Sequence, residues 1–173
     1  NDTSQTGVRP GEETIDLPPP EDAGLVFIGK IRTPWTDRRA APRNPMETET
    51  LCCVELDPLY AAGLKSVETC SHLILLYWLH QARRDLIVQN PRFDDQPHGT
   101  FALRSPQRPN PIGLAVVDLI KVDGTVLTIR HIDCLDGTPL LDIKPYFPHS
   151  DAKPGATVGW HAKRSNPLPA RSG

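Results

Sequence analysis

Between residues 24 and 146 the chain is cut into short runs of apolar, β-branched and aromatic residues, and the cuts are made by Gly, Pro, Asn and Asp. "GLVFIGKIR" (24–32), "TLCCVEL" (50–56), "GTFALRS" (99–105), "GLAVVDLIKV" (113–122), "TVLTIRHI" (125–132) and "PLLDIKPY" (139–146) each read as a strand, with Gly29 a bend inside the first. "SHLILLYWLHQ" (71–81) fits a buried strand or a buried helix by periodicity, and its Ile, Tyr and Trp content and its length favour the strand. "VDGT" joins two runs as a hairpin turn. One helix signal occurs over 57–64, where Asp57 is the N-cap, Pro58 takes the first position and Gly63 is placed to stop it. Residues 82–98, polar and dotted with proline, read as a long loop, and "GATVGW" (155–160) reads as the tail of the fold. Strands without alternating helices argue against a doubly wound sheet. They predict a mostly β fold, barrel or sandwich, expected as a compact single-domain β-barrel with a short helix and long Pro-rich loops.

The ends are built differently. Residues 1–23 contain few apolar side chains and a PPP run and read as a disordered or extended lead-in. Residues 161–173 read as a flexible tail, so the folded domain is expected over 24–160. No stretch is apolar enough to span a bilayer and no signal peptide is visible; the missing initial Met suggests trimming or an omitted start, and cytoplasmic is the expected location. Cys52, Cys53, Cys70 and Cys134 form no CxxC pair, which favours buried thiols in a reducing compartment; Cys52 and Cys53, adjacent in a strand, should face opposite ways. The formal charge of −2 excludes a uniformly basic nucleic-acid coat. It leaves room for a local one, because residues 30–43 carry Lys30, Arg32, Arg38, Arg39 and Arg43 against Asp37 alone.

"RSPQRPNPIG" (104–113) cannot be helix or central strand. Pro106, Pro109 and Pro111 fix their φ angles and donate no N–H, and Ser105, Arg108 and Asn110 each precede a proline and are pushed to extended angles. Two readings stay open: a preorganised site holding Arg104, Arg108 and Asn110, or a polyproline strut with solvated arginines. The second dense stretch is "DCLDGTPLLDIKPY" (133–146), whose Asp136-Gly137-Thr138-Pro139 turn is expected to present backbone N–H groups to a ligand. Beyond it Asp142 and Lys144 share one face of a strand, as a plain ion pair or as a pair that tunes a proton acceptor. His80 and Gln81 end an apolar strand, a position for pocket residues or for a structural histidine. There is no GxxxxGK[ST] and no GxGxxG, and the six histidines show no HxH or HExxH spacing, so no metal site is expected.

"GTFALRSPQRPNPIGL" together with "DCLDGTPLLDIKPYFPHSD" resembles the two signature blocks of the TrmO family, also called YaeB-like, TsaA-like or VirR-like proteins. "IGKIRTP", "PRNP" and "SHL…LHQ" add to the resemblance, which covers about 24–160. It implies a β-barrel, homodimeric, S-adenosylmethionine-dependent tRNA methyltransferase, with the cofactor near the subunit interface. The acceptor it implies is N6 of the threonylcarbamoyl-adenosine at position 37, next to the anticodon of threonine tRNAs. Carried over by motif, the cofactor site comprises Asn44, Pro45, Met46, His80, Gln81, Arg104, Leu114, Leu135, Asp136, Gly137 and Thr138. Arg43, Arg108 and Asn110 would meet the tRNA or the partner subunit, and Asp142, positioned by Lys144 and Tyr146, is the catalytic base expected for removal of the N6 proton. Two departures stand out: the family loop more often reads PRQPG where this chain has Pro42, Arg43, Asn44, Pro45 and Met46, and larger members add a C-terminal domain. Two other functions fit the same residues: a non-catalytic S-adenosylmethionine- or RNA-binding regulatory module, and a methyltransferase acting on another small molecule.

Overall fold

Six of the runs read as strands pair edge to edge until no edge is left. A computed structural model describes residues 7–21, 24–42 and 44–162. Its strands are β1 (Glu13–Thr14), β2 (Gly29–Arg32), β3 (Cys52–Leu56), β4 (His72–Trp78), β5 (Leu86–Gln89), β6 (His98–Gly99), β7 (Ile112–Asp123), β8 (Val126–Arg130) and β9 (Thr138–Pro145). β2, β3, β8, β7, β4 and β9 close in that order into an antiparallel barrel, and β1, β5 and β6 form a small sheet with β5 in the middle. The mostly β barrel expected from the sequence is the fold found.

Period-two alternation fills the barrel. Ile31, Val54, Leu73, Leu75, Val117, Leu127, Ile129 and Leu140 turn inward and are essentially inaccessible. Burying an aliphatic side chain of this size contributes about 1.5–3 kcal/mol. Cys52 is buried while Cys53 is half-exposed, the opposite facing that adjacent strand positions require. All four thiols are free, and burial pushes Cys52 up to about 11 and Cys134 up to about 12. Tyr77 and Gly113 are opposite one another on β4 and β7; a Cβ at Gly113 would overlap the Tyr77 ring, so only glycine fits.

Two bulges set which side chains leave the barrel. On β9, Leu140 pairs with Tyr77 and Asp142 with Leu76, so Leu141 is an extra residue. Without it, Asp142 and Lys144 would follow Thr138 and Leu140 into the interior. With it, Ile143 takes the inward place and the two charged residues face outward. On β7 the register against β8 slips at Ile120. Just before that slip, Arg130, Asp118 and His72 form one row across β8, β7 and β4, with ion-pair distances of 2.7 and 3.2 Å.

Several local readings are corrected. Only the second half of 24–32 is strand; residues 24–27 are exposed irregular chain. The turn after Asp57 is a 3-10 helix, Pro58–Leu64, which Asp57 caps by accepting from the Leu59 N–H at 2.9 Å and which runs through Gly63. Residues 82–98 are not one loop, because they hold β5 and the start of β6. "GTFALRS" is a 3-10 turn, Thr100–Ala102, and "GATVGW" ends in the short helix Gly159–Ala162 rather than a strand. Part of the lead-in is strand β1.

Gly113→Ala is expected to destabilise the barrel by about 1–3 kcal/mol, the usual cost of overpacking. Urea unfolding checks it, and Tyr77→Leu in the same chain should recover most of the loss.

Candidate functional site

A loop with three prolines leaves carbonyl oxygens that it cannot pair with its own N–H groups. Here side chains supply the donors. Arg84 Nε donates to the Pro109 carbonyl at 2.6 Å and its Nη2 to Asn110 Oδ1 at 3.2 Å, while its guanidinium lies 5.4 Å from the centre of the Trp78 ring. Gln89, buried on β5, donates from Nε2 to the Gln107 carbonyl at 2.6 Å and to Thr100 Oγ1 at 2.8 Å. Fully buried Thr100 in turn donates to the Leu86 carbonyl. Arg108 Nη1 donates to the carbonyls of Leu103 and Ser105 at 3.1 and 3.2 Å. Arg108, expected to face substrate, is thus engaged in holding its own loop, whereas Arg104 and Asn110 are exposed.

This loop borders one mouth of the barrel. Buried Tyr77 marks the inner wall there. Burial pushes its hydroxyl strongly upward, the Asp133 and Cys134 charges add to that, and the Arg104 guanidinium opposes it. Asp133 itself is raised above the usual carboxylate range by burial. Arg104 lies in the loop that leads into β7 and Asp133 in the segment that leads into β9, so both flank the end of the barrel at which Tyr77 pairs with Gly113 and Leu140. The sequence reading passed over Asp133 and Tyr77, as well as Arg84 and Gln89; Asp133 alone lies inside a dense block, and nothing local marked the other three.

The turn over 135–138 closes the mouth on the β2 side. Asp136 Oδ1 accepts from the Thr33 N–H at 3.1 Å, and Gly137 takes the left-handed φ of 75° that the turn needs. The expectation of free N–H groups in this turn is corrected: Asp136 N–H donates to the Trp35 carbonyl, Gly137 N–H to Ile31 and Thr138 N–H to Leu135. The peptide groups are committed to closing the barrel. What the turn offers a ligand is the half-buried Leu135 and the Asp136 carboxylate, which also lies 3.6 Å from Arg32.

A second group lies on the outer face of β7, β4 and β9. Leu114, Leu76 and Asp142 form one row, and Val116, Ile74 and Lys144 the next. Lys144 Nζ is 2.7 Å from Asp142 Oδ2, and Asp142 Oδ1 accepts from the Ile143 N–H. Tyr146 sits beyond them, its ring 6.3 Å from that of His72. Ile112, Leu114 and Val116 are 40–47% exposed, so an apolar stripe runs beside the ion pair. His80 and Gln81 are exposed just past β4, near the start of β7, since the Leu79 N–H donates to Pro111. Asn44 caps the exposed 3-10 turn Pro45–Glu47 by accepting from the Met46 N–H. Arg43 lies outside the described residues. A shallow depression of about 440 Å³ lined by Arg32, Thr33, Leu51, Cys53 and Thr128, among others, contains none of the expected site residues.

Comparison with known proteins gives the same domain a family. The tRNA-methyltransferase O N-terminal domain matches residues 30–152. A probable S-adenosyl-L-methionine-binding protein VirR of Rhizobium radiobacter is 46% identical over 165 residues, 95% of this chain and 91% of that protein. The tRNA (adenine(37)-N6)-methyltransferase of Escherichia coli K12 is 35% identical over 77% of this chain, which spans 61% of that enzyme. The crystal structure of TrmO from Pseudomonas aeruginosa superposes with a TM-score of 0.68 at 36% identity, covering 80% of this chain and 62% of that one. The family model and these relatives mark an S-adenosylmethionine-dependent methyltransferase domain, and its closed barrel is not a Rossmann sheet. The chain belongs to the tRNA-methyltransferase O family.

The residues at this end of the barrel are compatible with that cofactor: exposed Arg104 would offer a cation to a methionine carboxylate, and half-buried Leu135 an apolar side chain. Among the described residues no group of three His, Cys, Asp or Glu side chains is arranged to hold a metal ion. Arg104→Ala is expected to weaken S-adenosylhomocysteine binding at least about tenfold, the loss of one charged hydrogen bond. Titration calorimetry reads this directly, and an unchanged affinity would leave Arg104 a solvated residue on a strut.

Proposed function

We propose that the protein methylates N6 of an adenine at position 37 of tRNA, with the threonylcarbamoyl-adenosine of threonine tRNAs as acceptor, acting as a homodimer in the cytoplasm. The observation that carries this reading is the 104–113 loop, held by Arg84 and Gln89 and presenting exposed Arg104, in a chain that resembles an enzyme of that name.

When bound, S-adenosylmethionine supplies an electrophilic methyl group carried on a sulfonium. The chain's residues position the acceptor and take its proton. Phe101, 75% exposed, stands on the 3-10 turn that buried Thr100 anchors, three residues before Arg104. It offers a stacking surface to an unpaired anticodon-loop base. Exposed Lys30, Arg38 and Arg39 on the β2 side supply cations for loop phosphates, an attraction that weakens as salt rises. Methylation of N6 would release its proton, which a carboxylate of this chain would accept. Asp142, steadied by Lys144, serves if a second copy packs over the β7–β4–β9 face; Asp133 at the mouth needs no partner.

The apolar stripe Ile112–Leu114–Val116 is the surface on which this reading places the second copy, since a monomer would leave it in water. Leu114→Glu is expected to convert a dimer into a monomer in analytical ultracentrifugation.

Incubation with labelled S-adenosylmethionine and total tRNA, followed by nucleoside analysis, should give label in a methylated threonylcarbamoyl-adenosine. Cofactor binding with no label in tRNA would sink the reading in favour of a binding module. Asp142→Asn and Asp133→Asn separate the two carboxylates, because the one that accepts the proton should lower kcat by about 100-fold or more with little effect on cofactor affinity.

A further inference from the structure

The segment before the barrel is tied to the site. Residues 9–15 lie outside the matched domain, which begins at residue 30, and the match to VirR over 95% of the chain takes them in. β1 adds to the edge of β5, with Glu13 opposite Val88 and Thr14 opposite Leu86, and the Ile15 N–H donates to the Asp85 carbonyl at 2.9 Å. The attachment is more than a strand edge. The Glu12 side chain is only 2% exposed, and its two oxygens accept from Arg9 Nη2 at 2.6 Å, Arg9 Nε at 3.1 Å, the Arg9 N–H at 2.9 Å and the Asn90 N–H at 3.2 Å. Asn90 Nδ2 returns a bond to the Pro10 carbonyl. A buried carboxylate saturated in this way locks the arm to the end of β5, because pulling it away would strand the Asn90 N–H.

β5 is the element from which the signature loop is held. Gln89, next to Asn90, carries the amide that reaches Gln107 and Thr100, and Arg84, two residues before β5, reaches Pro109 and Asn110. On its other side β5 is paired only with the two residues of β6. A two-stranded ribbon of this length is marginal by itself, and a third strand makes it a sheet. The arm, β5 and the loop over 104–112 thus form one chain of hydrogen bonds that runs beside the barrel rather than through its core.

We propose that the N-terminal arm, residues 9–15, is a positioning element of the site: Glu12 clamps β5, and β5 holds the proline-rich loop in its ligand-ready geometry. The proposal rests on the reading of that loop as part of the cofactor and substrate site.

The test uses the full chain carrying Glu12→Ala or the conservative Glu12→Gln. Amide hydrogen exchange is followed by mass spectrometry, and S-adenosylhomocysteine affinity is measured in parallel. In Glu12→Ala, exchange at Gln107, Arg108, Asn110 and Ile112 should rise about tenfold, as for a local opening, while peptides from β7 beyond Val116 and from β8 stay unchanged. Affinity should fall several-fold, and Glu12→Gln, which keeps one acceptor oxygen, should recover part of both effects. Faster exchange confined to residues 84–90, with a quiet loop, would overturn the proposal. So would uniformly faster exchange over the barrel, which marks a purely stabilising arm. If Arg104→Ala leaves affinity unchanged while the exchange coupling persists, the ligand reading of the loop fails and the mechanical coupling stands.

Discussion

A proline-rich loop lacks the N–H groups to satisfy all its carbonyl oxygens, and the site depends on side-chain donors, one from the loop itself and two from β5 and the residues before it. Leu103, Ser105, Gln107 and Pro109 present their carbonyls to Arg108, Gln89 and Arg84, three side chains that a reader would otherwise assign to solvent or ligand. Proline restricts the angles, and the donors select one arrangement among those that remain. The loop can therefore stay rigid at the rim of a barrel without joining any sheet. That rigidity is what a site needs if it is to bind a nucleoside without a glycine-rich phosphate loop.

The barrel contributes position rather than chemistry. Closure consumes the backbone groups of the strands and, less obviously, those of the 135–138 turn, whose N–H groups bond to Ile31, Trp35 and Leu135. On the proposed reading, ligand contacts at the mouth would then fall to side chains such as the exposed Arg104 and the half-buried Leu135. The Leu141 bulge has the opposite effect on Asp142 and Lys144, turning them from the interior to the outer face beside an apolar stripe. Of the residues named from the family motifs, Arg104 and Leu135–Thr138 lie at the mouth and Leu114, Asp142 and Lys144 on the outer face, while Asn44, Pro45 and Met46 belong to a separate 3-10 turn.

Much of the barrel was legible because burial on one side of a strand imposes a period of two. The runs at 50–56, 113–122 and 125–132 need nothing beyond their own alternation, and Asp57 and Pro58 announce their turn through a local hydrogen bond and a fixed angle. The failures share a cause. "GTFALRS" has strand composition, yet buried Thr100 bonds to Leu86 and Gln89, and this contact with β5 turns the segment into a 3-10 helix. β5 was hidden because it is short and one of its two partner strands, β1, lies more than 70 residues earlier in the sequence. Residues 24–27 have strand composition but pair with no strand among the described residues.

What the sequence by itself determined were the mostly β class, the strands with one buried face, the helical turn at Asp57 and the stiffness of 104–113, since each follows from side-chain periodicity or from a single residue's backbone limits. Tertiary structure alone decided which carbonyls Arg84, Gln89 and Arg108 hold, which way Asp142 points, whether the 136–138 peptides are free, and that Glu12 belongs to the folded protein. Apart from the short-range bonds of Arg108 and Thr138, each of those depends on a partner distant in sequence or on a one-residue slip of register, and local propensity carries no information about either.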